Sequence, residues 1–258
     1  MKKFLAIMLA ALLLLCFVGC KKNDEDTNAA DDDENLEGIE ELVYNNFVYD
    51  VNEDGDYEII GFRYNDTVAI DVTVPAIIEG REVTGIAADA FKACKTIKSV
   101  TIPEGITYIG NYAFYDCDAL AAVTMPASLT AIGMGAFQDC SALTTVTVGT
   151  GVTEIGDFAF MSCTALAAAT LPDGLLTIGD GAFWNCKELT AVTVPTTVTK
   201  IGTAAFYACA KLNSVTVKGS VAEIGDVVCN ACASDMKVYV TAGSAFAQYA
   251  ADNGYTIG

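Results

Sequence analysis

Ten cysteines are the most reactive side chains in this 258-residue chain, and seven of them recur at a fixed step of 23 residues. Such a set could form disulfides, bind a metal through thiolates, or pack as small apolar side chains. Side chains at one position of successive repeats run parallel and do not face each other, so we expect buried free thiols. The seven are Cys94, Cys117, Cys140, Cys163, Cys186, Cys209 and Cys232.

Cys229 and Cys232 are spaced C-x-x-C, unlike the other cysteines of the repeats. One such pair supplies only half of the ligands of a structural zinc site, and the sequence has no histidine to complete it. A local disulfide and a pair of buried thiols are the two alternatives. We therefore predict no metal site and no cofactor.

Cys20 ends a stretch that predicts export and lipid attachment. Two lysines precede an apolar run over residues 4–18, which is too short for a membrane span and typical of a signal peptide. The small residues directly before Cys20 resemble the bacterial lipobox, whose cysteine is acylated and becomes the mature N-terminus, although Phe17 stands where leucine is usual. We predict removal of residues 1–19 and lipidation of Cys20; an ordinary cleaved signal peptide is the alternative.

A possible calcium loop lies further along the chain. Asp50, Asn52, Asp54 and Gly55 match the opening of an EF-hand loop, but its twelfth position, which should be a bidentate glutamate, is Gly61. The flanking residues also alternate as strands do, whereas an EF-hand loop joins two helices. The stretch therefore predicts a hairpin turn and not a calcium site.

The complete absence of histidine argues against catalysis. It removes the commonest general base near neutral pH, and it excludes Ser-His-Asp and Cys-His nucleophile systems. Carboxylates are plentiful, but nothing in their spacing places two of them around a pocket. We therefore predict that the protein is not an enzyme.

The charge of the chain limits its partners. The formal net charge is −19, and residues 1–20 hold two lysines and no acid, so the remainder carries −19 − 2 = −21. This charge repels phosphates, which disfavours nucleic acid and anionic lipid surfaces as partners. Many of the acids lie in residues 20–41, where apolar residues are scarce, so this segment is predicted to be a disordered, extended tether.

Short strands and turns must position the repeated residues. Each repeat has a segment in which apolar residues alternate with threonine, as Val192, Thr193 and Val194 do, and this is the spacing of a strand with one buried face. Proline ends most of these segments, because it has no N–H to give to a strand ladder. The fixed period over residues 72–240 predicts a solenoid with eight parallel strands in one sheet.

The remainder of each repeat contains an Ile-Gly pair and then A-F-x-x-C. Glycine there suits either a positive φ or a close approach of two backbones. The A-F-x-x-C segment is predicted to form a short turn of α- or 3₁₀-helix on the outer side, with its phenylalanine in the core. These phenylalanines are Phe91, Phe114, Phe137, Phe160, Phe183 and Phe206.

Both ends of the solenoid need caps, because an open coil would expose its core. Residues 42–71 are predicted to form a hairpin cap, since Asp54-Gly55 between two apolar runs is a strong hairpin signal. Gly80 marks the tip of a second, smaller hairpin in the first coil. In residues 241–258, Ser244 and Gly254 predict the N-cap and the C′ residue of a covering helix.

The combined pattern L-x-x-V-T-[IVLM]-P, T-x-I-G and A-F-x-x-C resembles the BspA-like bacterial leucine-rich repeats. Its fullest copies here run from Leu120 to Cys140 and from Leu189 to Cys209, and the resemblance covers residues 42–258. It implies a β-rich α/β solenoid, a right-handed superhelix of 23-residue coils displayed on a bacterial surface. Members of the family are linked to adhesion to host proteins and to other cells.

The solvent side of the strands is the candidate binding surface, because a rank of threonines could hold a repetitive target such as a glycan. The β-propensity of threonine on a solvated sheet explains the rank equally. Aromatic residues near the outer turns are further contact candidates, namely Tyr115, Trp184 and Tyr207. We predict a membrane-anchored, outward-facing envelope protein that binds an extracellular protein or glycan; the alternative is a structural spacer without a ligand. The candidate binding residues are Thr124, Thr147, Thr170, Thr193 and Thr216.

Overall fold

A computed structural model describes residues 42–64 and 67–258, together with the backbone of Cys20–Lys22. The predicted signal peptide, the side chain of Cys20 and residues 23–41 of the predicted tether lie outside the described residues. Within the described part of the chain, no helix is long and apolar enough to cross a membrane.

An antiparallel hairpin opens the folded part, as predicted. Strands β3 (Phe47–Val51) and β4 (Tyr57–Tyr64) pair with each other, and β2 (Leu42–Tyr44) pairs with β3. Strand β1 (Cys20–Lys22) lies parallel to β4, so the backbone of the first three residues of the predicted tether joins this cap. The rings of Phe62 and Phe91 lie 5.5 Å apart, which closes the core beneath the hairpin.

Each coil of the solenoid contains two strands. One strand carries the threonines, and we call the members of this set the threonine strands. The other ends at the isoleucine of the Ile-Gly pair, which is Ile86-Ala87 in the first coil, and we call these the isoleucine strands. The threonine strands are β5 (Ile70–Thr73), β8 (Ile97–Thr101), β10 (Ala122–Thr124), β12 (Thr145–Thr147), β14 (Ala168–Thr170), β16 (Ala191–Val194), β18 (Ser214–Val217) and β20 (Lys237–Val240). The isoleucine strands are β7 (Arg81–Ile86), β9 (Tyr108–Ile109), β11 (Ala131–Ile132), β13 (Glu154–Ile155), β15 (Thr177–Ile178), β17 (Lys200–Ile201) and β19 (Glu223–Ile224).

The eight threonine strands are present, but the prediction of one sheet is wrong. Strands β5, β8 and β10 form a three-stranded sheet, and the other five join β21 (Thr256–Ile257) in a six-stranded sheet. The isoleucine strands and the cap form a twelve-stranded sheet of their own, which also includes β6 (Ile77–Ile78). Six of the seven isoleucine strands are two residues long, which is too short to show an alternating pattern, and the sequence therefore did not predict this sheet.

The phenylalanine stack is confirmed. From Phe91 to Phe206, successive ring centroids are 4.8 to 5.5 Å apart and successive ring planes lie within 10° of parallel. All six rings are fully buried. Replacing one ring with alanine in such a core costs roughly 3–5 kcal/mol, so this column is a principal source of stability.

The A-F-x-x-C segments are turns without helix, contrary to the prediction. In the central coil Phe158 and Ser162 adopt left-handed conformations, with φ of +58° and +59°. An α-helix would turn each N–H back onto its own chain, whereas here alternate N–H groups point along the stack. The amides of residues 158, 160 and 162 donate to the carbonyl oxygens of residues 180, 182 and 184 in the next coil, at 2.7 to 2.8 Å.

The cysteines lie beside these turns. Cys163 donates its thiol to the carbonyl oxygen of Phe137 in the preceding coil at 3.1 Å, and five further cysteines repeat this contact. Seven cysteines are free thiols, as predicted for the stack, and they include both Cys229 and Cys232. The prediction is wrong for Cys94, which is disulfide-bonded. Cys94 belongs to the first coil, so no earlier repeat with a matching thiol lies beneath it.

The glycine of the Ile-Gly pair serves close backbone approach. A Cβ atom added to Gly156 would lie 2.7 Å from the carbonyl carbon of Gly133 in the preceding coil, which is closer than real side chains come. Gly156 is also absent from the residues with positive φ, so the first of the two predicted reasons does not apply to it.

The remaining predicted cap elements are confirmed. Strands β6 and β7 form the small hairpin, with Gly80 at φ +82° in its tip. Helix α1 (Ala245–Asp252) begins after Ser244, whose hydroxyl accepts the N–H of Ala247 at 3.2 Å. Phe246 is 1% exposed, so its ring covers the last coil.

Candidate functional site

Strand register brings the predicted threonines into one line. Thr73, Thr101 and Thr124 are paired across the first sheet, Thr147 pairs with Thr170, and Thr193 pairs with Thr216. Of the five predicted binding residues, the first four are exposed and Thr216 is half-buried. We call the solvent side of the threonine strands the threonine face.

A second line of outward residues runs beside the threonines, and its small side chains keep the surface flat. Its middle members are small, because Thr145, Ala168, Ala191 and Ser214 pair in register. Charge is found at its two ends, where Asp71 accepts a hydrogen bond from Ser99 at 2.6 Å and Lys237 pairs with Ser214. The face is therefore flat and nearly uncharged along its centre.

Within the six-stranded sheet, pairing is weakest between β14 and β16. These two strands share a single residue pair, whereas β16 and β18 share four. Ala169 occupies the inward position that is valine in the neighbouring coils, so it fills less of the core. A depression of about 300 Å³ lies over this point, which is the lower end of the volume range of small-molecule sites.

Apolar and polar residues both line the depression. Ala169, Leu171, Ala191 and Pro195 contribute apolar surface to it. Its polar lining includes Thr170 and Thr193, which the sequence predicted, and Asp173 and Lys218, which it did not. Lys218 stands where Pro172 and Pro195 stand in the two preceding coils, and this substitution in the repeat was the signal that could have found it.

The C-terminal end of the threonine face differs from its centre. Tyr239 pairs with Thr216 and takes the place of the next threonine, and 41% of its surface is exposed. Lys218 and Lys237 are both exposed, and neither forms an ion pair with any residue in the described ranges. The face therefore ends in two available ammonium groups and an exposed aromatic ring.

The aromatic contact candidates on the outer side are less available than predicted. Tyr115, Trp184 and Tyr207 are all half-buried. The rings of Trp184 and Tyr207 pack edge to face with centroids 5.1 Å apart, and Lys92 lies over the ring of Tyr115 at 5.7 Å. These rings mainly cover the outer turns.

The buried thiols are unsuited to chemistry. Burial raises the pKa of Cys163, Cys186 and Cys229, and it raises the pKa of Cys232 to about 12. Thiolates are the reactive and metal-binding form of cysteine, so these side chains stay protonated and inert at neutral pH. No group of three or more potential metal ligands occurs in the part of the chain that the structure describes.

The calcium-like loop is organised by its own hydrogen bonds. The side-chain oxygen of Asn52 accepts the N–H groups of Asp54 and Asp56, at 3.1 and 3.0 Å. The amide of the same side chain donates to Thr84 at 3.1 Å. This arrangement is the turn of the β3–β4 hairpin, in agreement with the prediction from the sequence.

Comparison with known proteins identifies a matching repeat family and similar solved structures. Residues 73–187 and 142–250 match a family model described as a BspA type leucine rich repeat region, in six copies. Among solved structures, the fold is similar to that of a leucine-rich repeat protein of T. pallidum, with 29% identity and a TM-score of 0.65. The similarity covers 72% of this chain and 86% of that one.

Two further structures are more distant. A leucine-rich repeat protein from Bacteroides ovatus shares 22% identity at a TM-score of 0.47, over 77% of this chain and 70% of that one. A leucine rich cell surface protein from Faecalibacterium prausnitzii shares 24% identity at a TM-score of 0.45, over 79% and 76%. A comparison with curated protein sequences found no match.

Proposed function

The chain belongs to the family of BspA-type leucine-rich repeat proteins, and on that premise we propose that it is a lipid-anchored adhesion protein of the bacterial envelope. Repeat proteins of this type are interaction modules and are generally not enzymes. In our proposal the threonine face holds an extracellular protein or glycan, and Cys20 carries the lipid that keeps the solenoid outside the cell.

One observation carries the binding proposal: the threonine face is the broad, regular surface on which exposed hydroxyls line up across coils. Thr124, Thr147, Thr170 and Thr193 are exposed, while the aliphatic residues between them are turned inward. A solenoid presents such a surface without altering its core, because inward and outward residues alternate.

Binding of the full-length protein to an array of extracellular matrix proteins and glycans tests this proposal. A variant with Thr147→Lys and Thr193→Lys should lose the captured ligand. The matched control changes Thr153→Lys and Thr199→Lys, two exposed threonines of the same coils that lie off the threonine face. Equal capture by both variants would contradict the proposal and favour a spacer without a specific ligand.

The anchor is tested separately in cells. Cys20→Ser should release the protein from the membrane fraction and abolish incorporation of a labelled fatty acid. The control Cys232→Ser removes a half-buried thiol beside the last outer turn, far from the lipobox, and should leave both properties unchanged. Retention of Cys20→Ser in the membrane would overturn the lipid anchor.

A further inference from the structure

We propose that one end of the N-terminal cap lies directly on the bilayer that carries the lipid, so that the solenoid extends away from the membrane. The surface consists of residues 20–22, 42–47 and 62–64, which we call the cap edge. This inference rests on the lipid anchor of the proposed function and goes beyond it, because an anchor alone does not specify which surface of the protein meets the membrane.

A row of paired residues joins the predicted lipid-attachment position to the outermost strand of the cap. Cys20 pairs with Phe62 across β1 and β4. Phe47 of β3 pairs with Phe62 on one side and with Tyr44 of β2 on the other. Neighbouring strands lie about 4.8 Å apart, so the Cα atoms of Cys20 and Tyr44 are separated by roughly 14 Å. A lipid on Cys20 would therefore enter the bilayer beside the cap edge.

The segment between these two strands does not set the distance between the anchor and the cap. Residue 22 ends β1 and residue 42 begins β2, and both strands belong to the same sheet. An extended chain of the length of segment 23–41 could span roughly 60 Å. Because the residues on both sides of that segment lie in the cap, the lipid is held next to the folded part of the protein.

The cap edge exposes apolar side chains in a way that the rest of the protein does not. Leu42, Val43 and Tyr44 are 42%, 40% and 38% exposed, and every other exposed large apolar residue in the described ranges stands alone in the sequence. Strand β2 ends its sheet, and apolar edge strands are normally covered or protected by charge. A bilayer surface would cover this one, since aliphatic side chains enter the acyl boundary and tyrosine is enriched at headgroup level.

Charge is distributed across the cap in the same sense. The cap edge contains Lys21, Lys22 and Arg63 and no acid. Phe62 lies roughly 16 Å along β4 from Tyr57, the residue that follows the β3–β4 turn, and charges more than about 8 Å apart are largely screened at physiological salt. Lipid phosphates at the cap edge would therefore respond mainly to its cations. The acids of the cap surround the β3–β4 turn at the opposite end, and they are Asp50, Glu53, Asp54, Asp56 and Glu58.

A second copy of the chain fits this surface less well. Strand β2 has three residues, so two copies paired through it would share at most three residue pairs. Such a contact is far smaller than the area of about 1,000 Å² that a specific interface needs. A bilayer requires no matching register, and the lipid already holds it beside the strand.

The experiment measures quenching of tryptophan fluorescence by brominated phosphatidylcholine in vesicles that carry the lipidated protein. Trp184 is the only tryptophan, so Trp184→Phe with Tyr44→Trp places a single reporter at the cap edge. The matched control, Trp184→Phe with Tyr239→Trp, places it at the other end of the solenoid, at a residue that is 41% exposed against 38% for Tyr44.

We expect the cap reporter to lose at least about half of its emission, because a side chain at the headgroup boundary lies within about 10 Å of the acyl chains. The control reporter should keep its emission.

A second pair of variants tests the apolar contact itself. In the protein with the cap reporter, Leu42→Ser with Val43→Ser should reduce the quenching about twofold or more. The control, Leu176→Ser with Ile257→Ser, removes two similarly exposed apolar side chains elsewhere, at 46% and 48% exposure, and should leave the quenching unchanged. Equal reductions in the two serine pairs would overturn the inference.

Flotation of the vesicles separates this inference from the proposed function. If the protein does not float with the vesicles, the anchor and the inference are both wrong. If it floats and the two reporters are quenched equally, or neither is quenched, the anchor remains and contact through the cap edge is excluded. An unquenched cap reporter together with a concentration-dependent dimer would assign β2 to a second copy.

Discussion

Opposite sides of the same coil obey different rules in this protein. On the outer side, Phe160 and Cys163 are fully buried, and each contacts its counterpart or the backbone in a neighbouring coil. On the strand side, Thr170 and Thr193 are exposed, and their hydroxyls make no hydrogen bond to another described residue. One side stabilises the stack, and the other is available to a ligand.

The amino-acid sequence of this fold can vary more on the threonine face than in the outer turns. A residue in the outer turn has a copy of itself above and below, so any change alters two contacts at once. A residue on the threonine face has neighbours only at its flanks, and surface substitutions of that kind usually change stability by less than about 0.5 kcal/mol. Substitutions that depart from the repeat are therefore tolerated better on the threonine face than in the outer turns.

Raising the pH should damage the outer side most. Burial raises the pKa of Cys140, Cys163, Cys186, Cys229 and Cys232, whereas unfolded thiols ionise near about 8.5. The stability that these thiols contribute is fully present below that pH and is lost as the pH rises toward the folded pKa. Each thiol should lower the free energy of unfolding by about 1.4 kcal/mol per pH unit in that window.

Urea denaturation under a reductant, repeated between about pH 7 and pH 10, measures this dependence. Cys163→Ser removes one titrating thiol and should reduce the slope by about 1.4 kcal/mol per pH unit. An unchanged slope in that variant would show that the thiols do not cause the loss.

Phe160→Ala should have the next largest effect. It opens a cavity in the middle of the ring column, and such changes lower the free energy of unfolding by roughly 3–5 kcal/mol. Leu176→Ala is the control, since 46% of Leu176 is exposed and its loss should cost far less. Similar denaturant midpoints for the two variants would mean that the column does not stabilise the stack.

Val227→Gly should stabilise the protein by about 0.5–1 kcal/mol, because a left-handed residue with a Cβ is strained and glycine is not. Val227 has φ +50° in the last outer turn, where Gly135 and Gly181 occupy the same position in earlier coils. The reciprocal change Gly135→Val should destabilise, since its Cβ would contact the ring of Tyr112. A lower melting temperature for Val227→Gly would argue that strain at this position is unimportant.

Thr170→Ala and Thr193→Ala should have the smallest effect on folding. Each is expected to change the free energy of unfolding by less than about 0.5 kcal/mol, as measured by urea denaturation. A decrease of several kcal/mol in the free energy of unfolding of either variant would contradict this expectation, because the threonine face would then also stabilise the stack of coils.

The sequence predicted those parts of the fold that repeat at every coil. The step of 23 residues identified the ring column, the thiols and the inward valines, since a solenoid places equal positions above each other. It missed the isoleucine strands, six of which are two residues long, and the split between β10 and β12. It also misassigned the A-F-x-x-C turns, because left-handed residues such as Phe158 and Ser162 carry no glycine signal.

The candidate site was predicted in its regular part and missed in its irregular part. The threonine line follows directly from strand alternation. Asp173, Lys218, Lys237 and Tyr239 were overlooked because each is a single departure from the repeat, and a period shows what is common to the coils. Asking which coil departs from the others would have pointed to Ala169 and Lys218, which mark the depression.

The hydrogen bonds of the outer turns allow coils to be added to the stack one after another. Each outer turn before the last donates alternate N–H groups to the coil that follows, as residue 160 does to residue 182, so all of these bonds share one orientation. A newly made coil thus offers a ready row of donors to the next segment leaving the ribosome. Whole 23-residue units could therefore be duplicated or deleted with these backbone bonds preserved, which would lengthen or shorten the threonine face.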